Sequence, residues 1–186
     1  MRSAVKNVIF TFSLVASIAA QAISVGKVDF EKKSVTGVEV ELASSMSNDV
    51  SVCGAKVGGF LCFASEMIGV QVGLGSQCEN EVNGIQIGGF SSLCTNEVNG
   101  IQIGGICCGA GKMRGVQIAG LISAGDKMSG LQIGAINYFI KDVSGVQIGV
   151  FNYAGEKSDN CLQIGVVNWL SANETMKIVP FVNFRF

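Results

Sequence analysis

The chain contains no histidine and a single proline among its 186 residues. Without histidine, the ordinary Cys/His zinc sites and the His-assisted nucleophiles are excluded. Charge is sparse, at 15% of residues, and no two carboxylates stand at a spacing that would mark an acid–base couple. These absences point away from an enzyme and leave no cofactor or metal to assign. Nucleic acid is also a poor partner. Removing Arg2 and Lys6 with an N-terminal leader from the 13 basic residues, set against 14 acidic ones, leaves an acidic chain, whereas a phosphate backbone requires a basic footprint. The N-terminal apolar run, residues 8–19, is shorter than the roughly 20 residues of a spanning helix. Preceded by Arg2 and Lys6 and followed by Ala20-Gln21-Ala22, it reads as an export signal over residues 1–22, with the mature chain starting at Ile23.

What the chain has instead is glycine and repetition. After residue 34 a phrase that is usually glycine, aliphatic, Gln, aliphatic, glycine recurs nine times at intervals of fifteen to seventeen residues, centred on Glu39, Lys56, Gln71, Gln86, Gln102, Gln117, Gln132, Gln147 and Gln163. Such self-similarity is the signature of a repeat architecture. Helix is disfavoured, because glycine interrupts every apolar cluster and the residues flanking the Gln position are mostly β-branched, as in Val70, Val72, Ile101 and Ile103.

Aligned on the Gln position, four columns are apolar. The −4 column holds Val52, Met67, Val82 and Met113; the −1 and +1 columns hold the aliphatic pairs; the +4 column holds Phe60, Phe90, Ile106 and Leu121. The steps between them are three, two and three residues, so only the middle step keeps strand alternation. Glycines at −2, such as Gly115, and at +2, such as Gly134, stand where a chain with inward-facing apolar columns would bend. The fold class this implies is all-β: a parallel β-solenoid of about nine 15–17-residue coils, with the four apolar columns inside and Gln on an outer amide ladder. The alternative is an up-and-down outer-membrane β-barrel with one strand per repeat, to which the terminal Phe186 and the alternating apolar residues before it would lend a C-terminal signal. The expected organisation is a signal over 1–22, an N-terminal segment or cap over 23–34, the repeat domain over 35–170 and a hydrophobic cap strand over 171–186.

Gly145-Val146-Gln147-Ile148-Gly149 with Phe151-Asn152, and Leu162-Gln163-Ile164-Gly165 with Val167-Asn168 one repeat later, resemble the bacterial surface-repeat proteins built from G-Φ-Q-Φ-G-x-x-N units, which are largely uncharacterised. The resemblance is strong over residues 130–170 and fades toward Glu39 and Lys56. It implies export in a bacterium with an outer membrane and carries no catalytic residues.

The seven cysteines form no C-x-x-C pair. Cys62, Cys78 and Cys94, sixteen residues apart, would share one column of a stack; they read as buried thiols filling small apolar spaces. Charged clusters such as Asp126-Lys127 and Lys141-Asp142 read as solvated turns. Tyr138, Tyr153 and Trp169 each follow the Asn column by one residue, giving an aromatic strip suited to a sugar ring or a protein partner. The function expected is a structural, adhesive or partner-binding role at the cell surface, in the outer membrane or in the periplasm, with a pore or membrane anchor as the barrel alternative.

Overall fold

The computed structural model of the chain describes residues 13–17, 20–29, 34–41 and 50–186. Residues 1–12 and 18–19 of the expected export signal lie outside the described residues. Among the described residues eleven strands follow in chain order: β1 (Ser13–Ser17), β2 (Ala20–Asp29), β3 (Ser34–Glu41), β4 (Ser51–Gly58), β5 (Leu61–Gly104), β6 (Cys107–Ala119), β7 (Ile122–Ile133), β8 (Ile136–Ile148), β9 (Phe151–Ala154), β10 (Cys161–Leu170) and β11 (Ile178–Arg185). Each pairs with the next in one continuous sheet, and β8 also pairs with β10.

From β3 to β10 every pairing is parallel and in register with the repeat. Gln102 lies beside Gln117, Gln117 beside Gln132, Gln132 beside Gln147, and Gln147 beside Gln163. Only the ends are antiparallel, where β1 and β2 fold onto β3 and where β11 folds onto β10. This is a β-solenoid of about nine turns and not a barrel: an up-and-down barrel would join successive repeats antiparallel, and here each repeat returns to the same side of the stack before the next begins.

The −4 column is buried as expected, but the other columns of each coil reverse the expected partition. Gln71, Gln86, Gln102, Gln117, Gln132, Gln147 and Gln163 are completely buried, while none of the aliphatic or aromatic residues at −1, +1 and +4 is; Leu121, expected inside, is 55% exposed. Burial keeps strand parity from −4 to the Gln position and +2, so Met113, Gln117 and Ala119 turn inward and Val116 and Ile118 turn outward. Burying an amide is costly only when it goes unpaired, and here it is paired. From Gln86 onward the amide donates from Nε2 to Oε1 of the preceding coil's glutamine: Gln86 to Gln71 at 3.2 Å, Gln102 to Gln86 at 3.0 Å, Gln117 to Gln102 at 2.7 Å and Gln163 to Gln147 at 2.8 Å. Several also reach backbone carbonyls on the far side of the coil, as Gln102 does to Ser92 and Gly109, both at 3.0 Å. A side chain of that length bridges the two walls, and a Val there would not.

A second amide ladder runs beside the first. Asn137 donates from Nδ2 to Asn152 Oδ1 and Asn152 to Asn168 Oδ1, each at 2.7 Å. The glutamines donate toward the N-terminal end of the stack and the asparagines toward the C-terminal end. In the earlier coils the Asn column is filled by Ser92, Cys108 and Ser123.

The remaining interior is apolar. The −4 column packs against Cys78, Cys94, Ala110, Phe139, Ala154 and Leu170. Phe139 fits because its neighbours in the column are small. Gly125 lies beside it, and a Cβ on Gly125 would stand 2.7 Å from the Phe139 ring.

Glycine at −2 answers to a different constraint from the expected corner. Gly37, Gly54, Gly69, Gly84, Gly100, Gly115, Gly130 and Gly145 all hold φ between 125° and 142°, and a Cβ at Gly115 would collide with the carbonyl oxygen of Gly100 one coil below. The +2 glycines have no positive φ. They are needed for space alone: a Cβ at Gly134 would stand 2.9 Å from Asn137 Oδ1, and Ala119 fills the same position in its own coil.

Polar groups continue the buried amide column toward both ends. In the first coils the Gln column is continued by an ion pair, with Lys56 Nζ 3.3 Å from Glu39 Oε2 and both side chains buried. In β11 the side chain that turns inward is Asn183, which donates to the Asn168 and Lys177 carbonyls at 3.3 Å. Phe181, Phe184 and Phe186 are exposed. The C-terminal strand therefore caps by main-chain pairing and an amide, and its aromatics do not enter the core.

Candidate contact surface

With the amides turned inward, the outer surface sorts by chemistry around each coil. Beginning at the −1 and +1 columns, it is aliphatic across one flank, then passes over a corner made by Phe60, Phe90, Ile106, Leu121, Val150 and Val166, all exposed. The second flank starts with Ile122, Ile136, Phe151 and Val167, which lie in register. The expectation that Phe60, Phe90, Ile106 and Leu121 lie in the core is not met. The signal that could have found the corner was plain strand parity from the −4 column, which keeps Val/Met and Gln on one face.

Two residues further along the second flank come Tyr138, Tyr153 and Trp169, which the structure does bring together. They occupy consecutive coils in register. The Tyr138 and Tyr153 rings stack with centroids 4.7 Å apart and an interplanar angle of 22°, and Trp169 meets Tyr153 edge-on at 5.5 Å. Tyr138 and Trp169 are exposed and Tyr153 is half-buried. The strip is a continuous ladder because coil register superposes equivalent side chains at about 4.8 Å.

Charge gathers on the remaining edge. Glu97, Lys112, Lys127 and Asp142 stack in register along it, and ion pairs link successive coils: Lys127 Nζ to Asp142 Oδ2 at 2.8 Å, Lys141 Nζ to Asp126 Oδ2 at 2.6 Å, and Arg114 to Glu97. These exposed pairs contribute little to stability; their effect is to keep one side of the stack hydrated. Thr95, Asn96, Glu97, Lys112 and Asp126 line a shallow cleft on this edge. The apolar half of the interior lies beneath the charged edge, and the amide half lies beneath the apolar corner.

The cysteines offer no reactive site in the core. All seven are free. Burial pushes the Cys161 thiol up to about 12, and burial followed by the neighbouring Cys107 does the same for Cys108. Cys78 and Cys94 adjoin in one column and share a hydrogen bond; that bond, then burial, raises Cys78, while the same bond lowers Cys94. The expectation that Cys62 shares their column is not met. Cys62 precedes buried Ala64 by two positions, as Ser92 precedes Cys94, so alternation places it in the Ser/Asn column, against Gly58 and Gly73. Among the described residues no three His, Cys, Asp or Glu side chains gather as a metal site, and no helix is long and apolar enough to cross a membrane. Set against known proteins, the chain matches no family model, no curated protein and no solved structure.

Proposed function

We propose that the chain is an exported, non-enzymatic surface repeat protein with a structural, adhesive or partner-binding role exerted by its outer faces. The observation that carries this reading is the separation of chemistry around the coil. The glutamine and asparagine amides are spent on internal ladders, while the outward columns repeat the same aliphatic character from coil to coil and gather charge on one edge. A surface so uniform along the stack suits an extended contact better than a single reaction centre. The aromatic strip of Tyr138, Tyr153 and Trp169 supplies flat rings to that contact, suited to a glycan ring or an apolar protein partner.

Export rests on the leader-like sequence of residues 1–22. The test is expression of the whole precursor in a bacterium with an outer membrane, followed by intact mass and amine labelling of unbroken cells. A mature chain beginning at Ile23 with Lys112 and Lys127 labelled from outside supports the reading. A precursor that keeps residues 1–22 and stays in the cytoplasm refutes it.

A further inference from the structure

The apolar corner and the −1/+1 flank run from the coil of Phe60 to that of Val166, and the second flank is apolar from Ile122 to Val167. Eight coils at about 4.8 Å make a zone about 38 Å long, and a width of about 20 Å gives on the order of 750 Å², more than the roughly 300–600 Å² of the largest patch on a typical monomer. Something must cover it. Building on the reading that the outer faces do the protein's work, we infer that this zone lies on a lipid bilayer, with the solenoid axis parallel to the membrane plane, the corner in the acyl chains and the charged edge in water.

Two features select lipid over a second copy of the chain, and the paired backbone at the corner meets what hydrocarbon demands. The zone is convex. Two such wedges can meet along only one flank each, leaving the other flank wet, whereas hydrocarbon closes around both. The backbone at the corner is also fit for a solvent that offers no hydrogen bonds. Where the chain turns, its amides donate to the coil below: Ile106 N to Phe90 O at 2.7 Å, Leu121 N to Ile106 O at 2.9 Å, Ile136 N to Leu121 O at 2.7 Å and Val150 N to Ala135 O at 2.9 Å. A turn hydrated in the ordinary way needs no such pairing, but one immersed in hydrocarbon does. Finally, in the last three coils the second flank passes from the apolar corner to Tyr138, Tyr153 and Trp169, and in the coil of Tyr138 on through exposed Ile140 to Lys141 and Asp142. That sequence of hydrocarbon, amphipathic ring and charge matches the layers of a membrane interface from inside to outside.

Trp169 is the single tryptophan of the chain, so its fluorescence reports on the repeat domain and not on the N-terminal apolar run. The experiment is flotation of the whole protein with phosphatidylcholine vesicles, combined with quenching of Trp169 by lipids brominated along the acyl chain. Ile106→Glu with Leu121→Glu places two carboxylates on the corner, where both side chains are exposed, and circular dichroism with a thermal melt verifies that the variant folds. The expected result is salt-independent flotation, quenching strongest for bromines near the headgroup, and a fall of about tenfold or more in bound fraction for the double variant, since charge is expelled from hydrocarbon. Lys127→Glu, on the charged edge, leaves flotation unchanged. Flotation that survives the double variant would assign binding to the N-terminal run and overturn the inference. So would a dimer in light scattering that ignores vesicles, which would give the corner to a second copy. Either failure leaves the export test above standing, so the two readings fail separately.

Discussion

Gln117 donates from Nε2 to Oε1 of Gln102 at 2.7 Å, with both side chains excluded from solvent. Gln132 donates in turn to Gln117 at 3.2 Å. Each amide is thus a rung held from two sides, and the ladder is what allows a polar residue to be the most regularly repeated one in the core.

Gln117→Leu keeps much of the volume and removes both partnerships. It leaves Gln102 Oε1 without its donor and Gln132 Nε2 without its acceptor, so the variant should lose about 2–4 kcal/mol in denaturant titration. Ile118→Gln, on the outward column, should change stability by less than about 0.5 kcal/mol. Equal losses for the two would contradict the inward placement of the amides.

The ion pair at the start of the same column makes a sharper test of ladder continuity. Lys56→Met takes the ammonium from the buried Glu39 carboxylate and should cost about 3–5 kcal/mol. Glu39→Gln with Lys56→Gln replaces the pair by two more amide rungs and should recover most of that loss. A thermal melt in which the double variant is no better than the single would show that the first coils do not continue the column.

The two glycine columns should respond differently to alanine. Gly115 has φ of 125° and abuts the Gly100 carbonyl, so Gly115→Ala is strained in both backbone and space and should cost about 3 kcal/mol or more. Gly134 is not in a positive-φ conformation and meets only side-chain atoms at the closest approach, and Ala119 already occupies the equivalent site. Gly134→Ala should therefore cost about 1 kcal/mol. Melts that rank the two in the opposite order would refute the assignment of strain to the −2 column.

Stability should fall in alkali. The Cys108 and Cys161 thiols ionise near 9.0 when unfolded and are pushed up to about 12 by burial in the fold. A folded-state pKa above the unfolded one gives stability that is full below pH 9 and lost as pH rises toward 12. Cys108→Ala with Cys161→Ala should flatten that alkaline limb in melts taken between pH 8 and 11. An unchanged slope would assign the loss to other groups.

The repeat period, the strand content and the aromatic ladder were legible in the sequence because each depends only on what recurs at fixed spacing. Tyr138, Tyr153 and Trp169 stack because all three follow the Asn column by one residue. The facing of the strand was not legible in the same way. Hydrophobicity favoured Ile118 and Leu121 inside and Gln117 outside, and only the rung-to-rung hydrogen bonds, which exist between coils and not within one, reverse that preference. Cys62 was misplaced because the coils differ in length: sixteen residues carry Cys78 to Cys94 in the same column, whereas Cys62 reaches the position two before Cys78. The C-terminal segment looked like an apolar plug from its phenylalanines, yet Asn183 is the side chain that meets the last coil, since antiparallel pairing of β11 on β10 brings Asn183 opposite Gln163.

Distances between outward positions test parallel stacking most directly. With spin labels at Val57 paired in turn with Ile103, Ile133 and Ile164, in a background free of native cysteine, stacked coils should give separations that grow by about 4.8 Å per coil, to about 14, 24 and 34 Å between backbones. Closure of the same repeats into a barrel would instead bring the last position back toward the first. A separation for Val57 and Ile164 shorter than that for Val57 and Ile133 would contradict the solenoid.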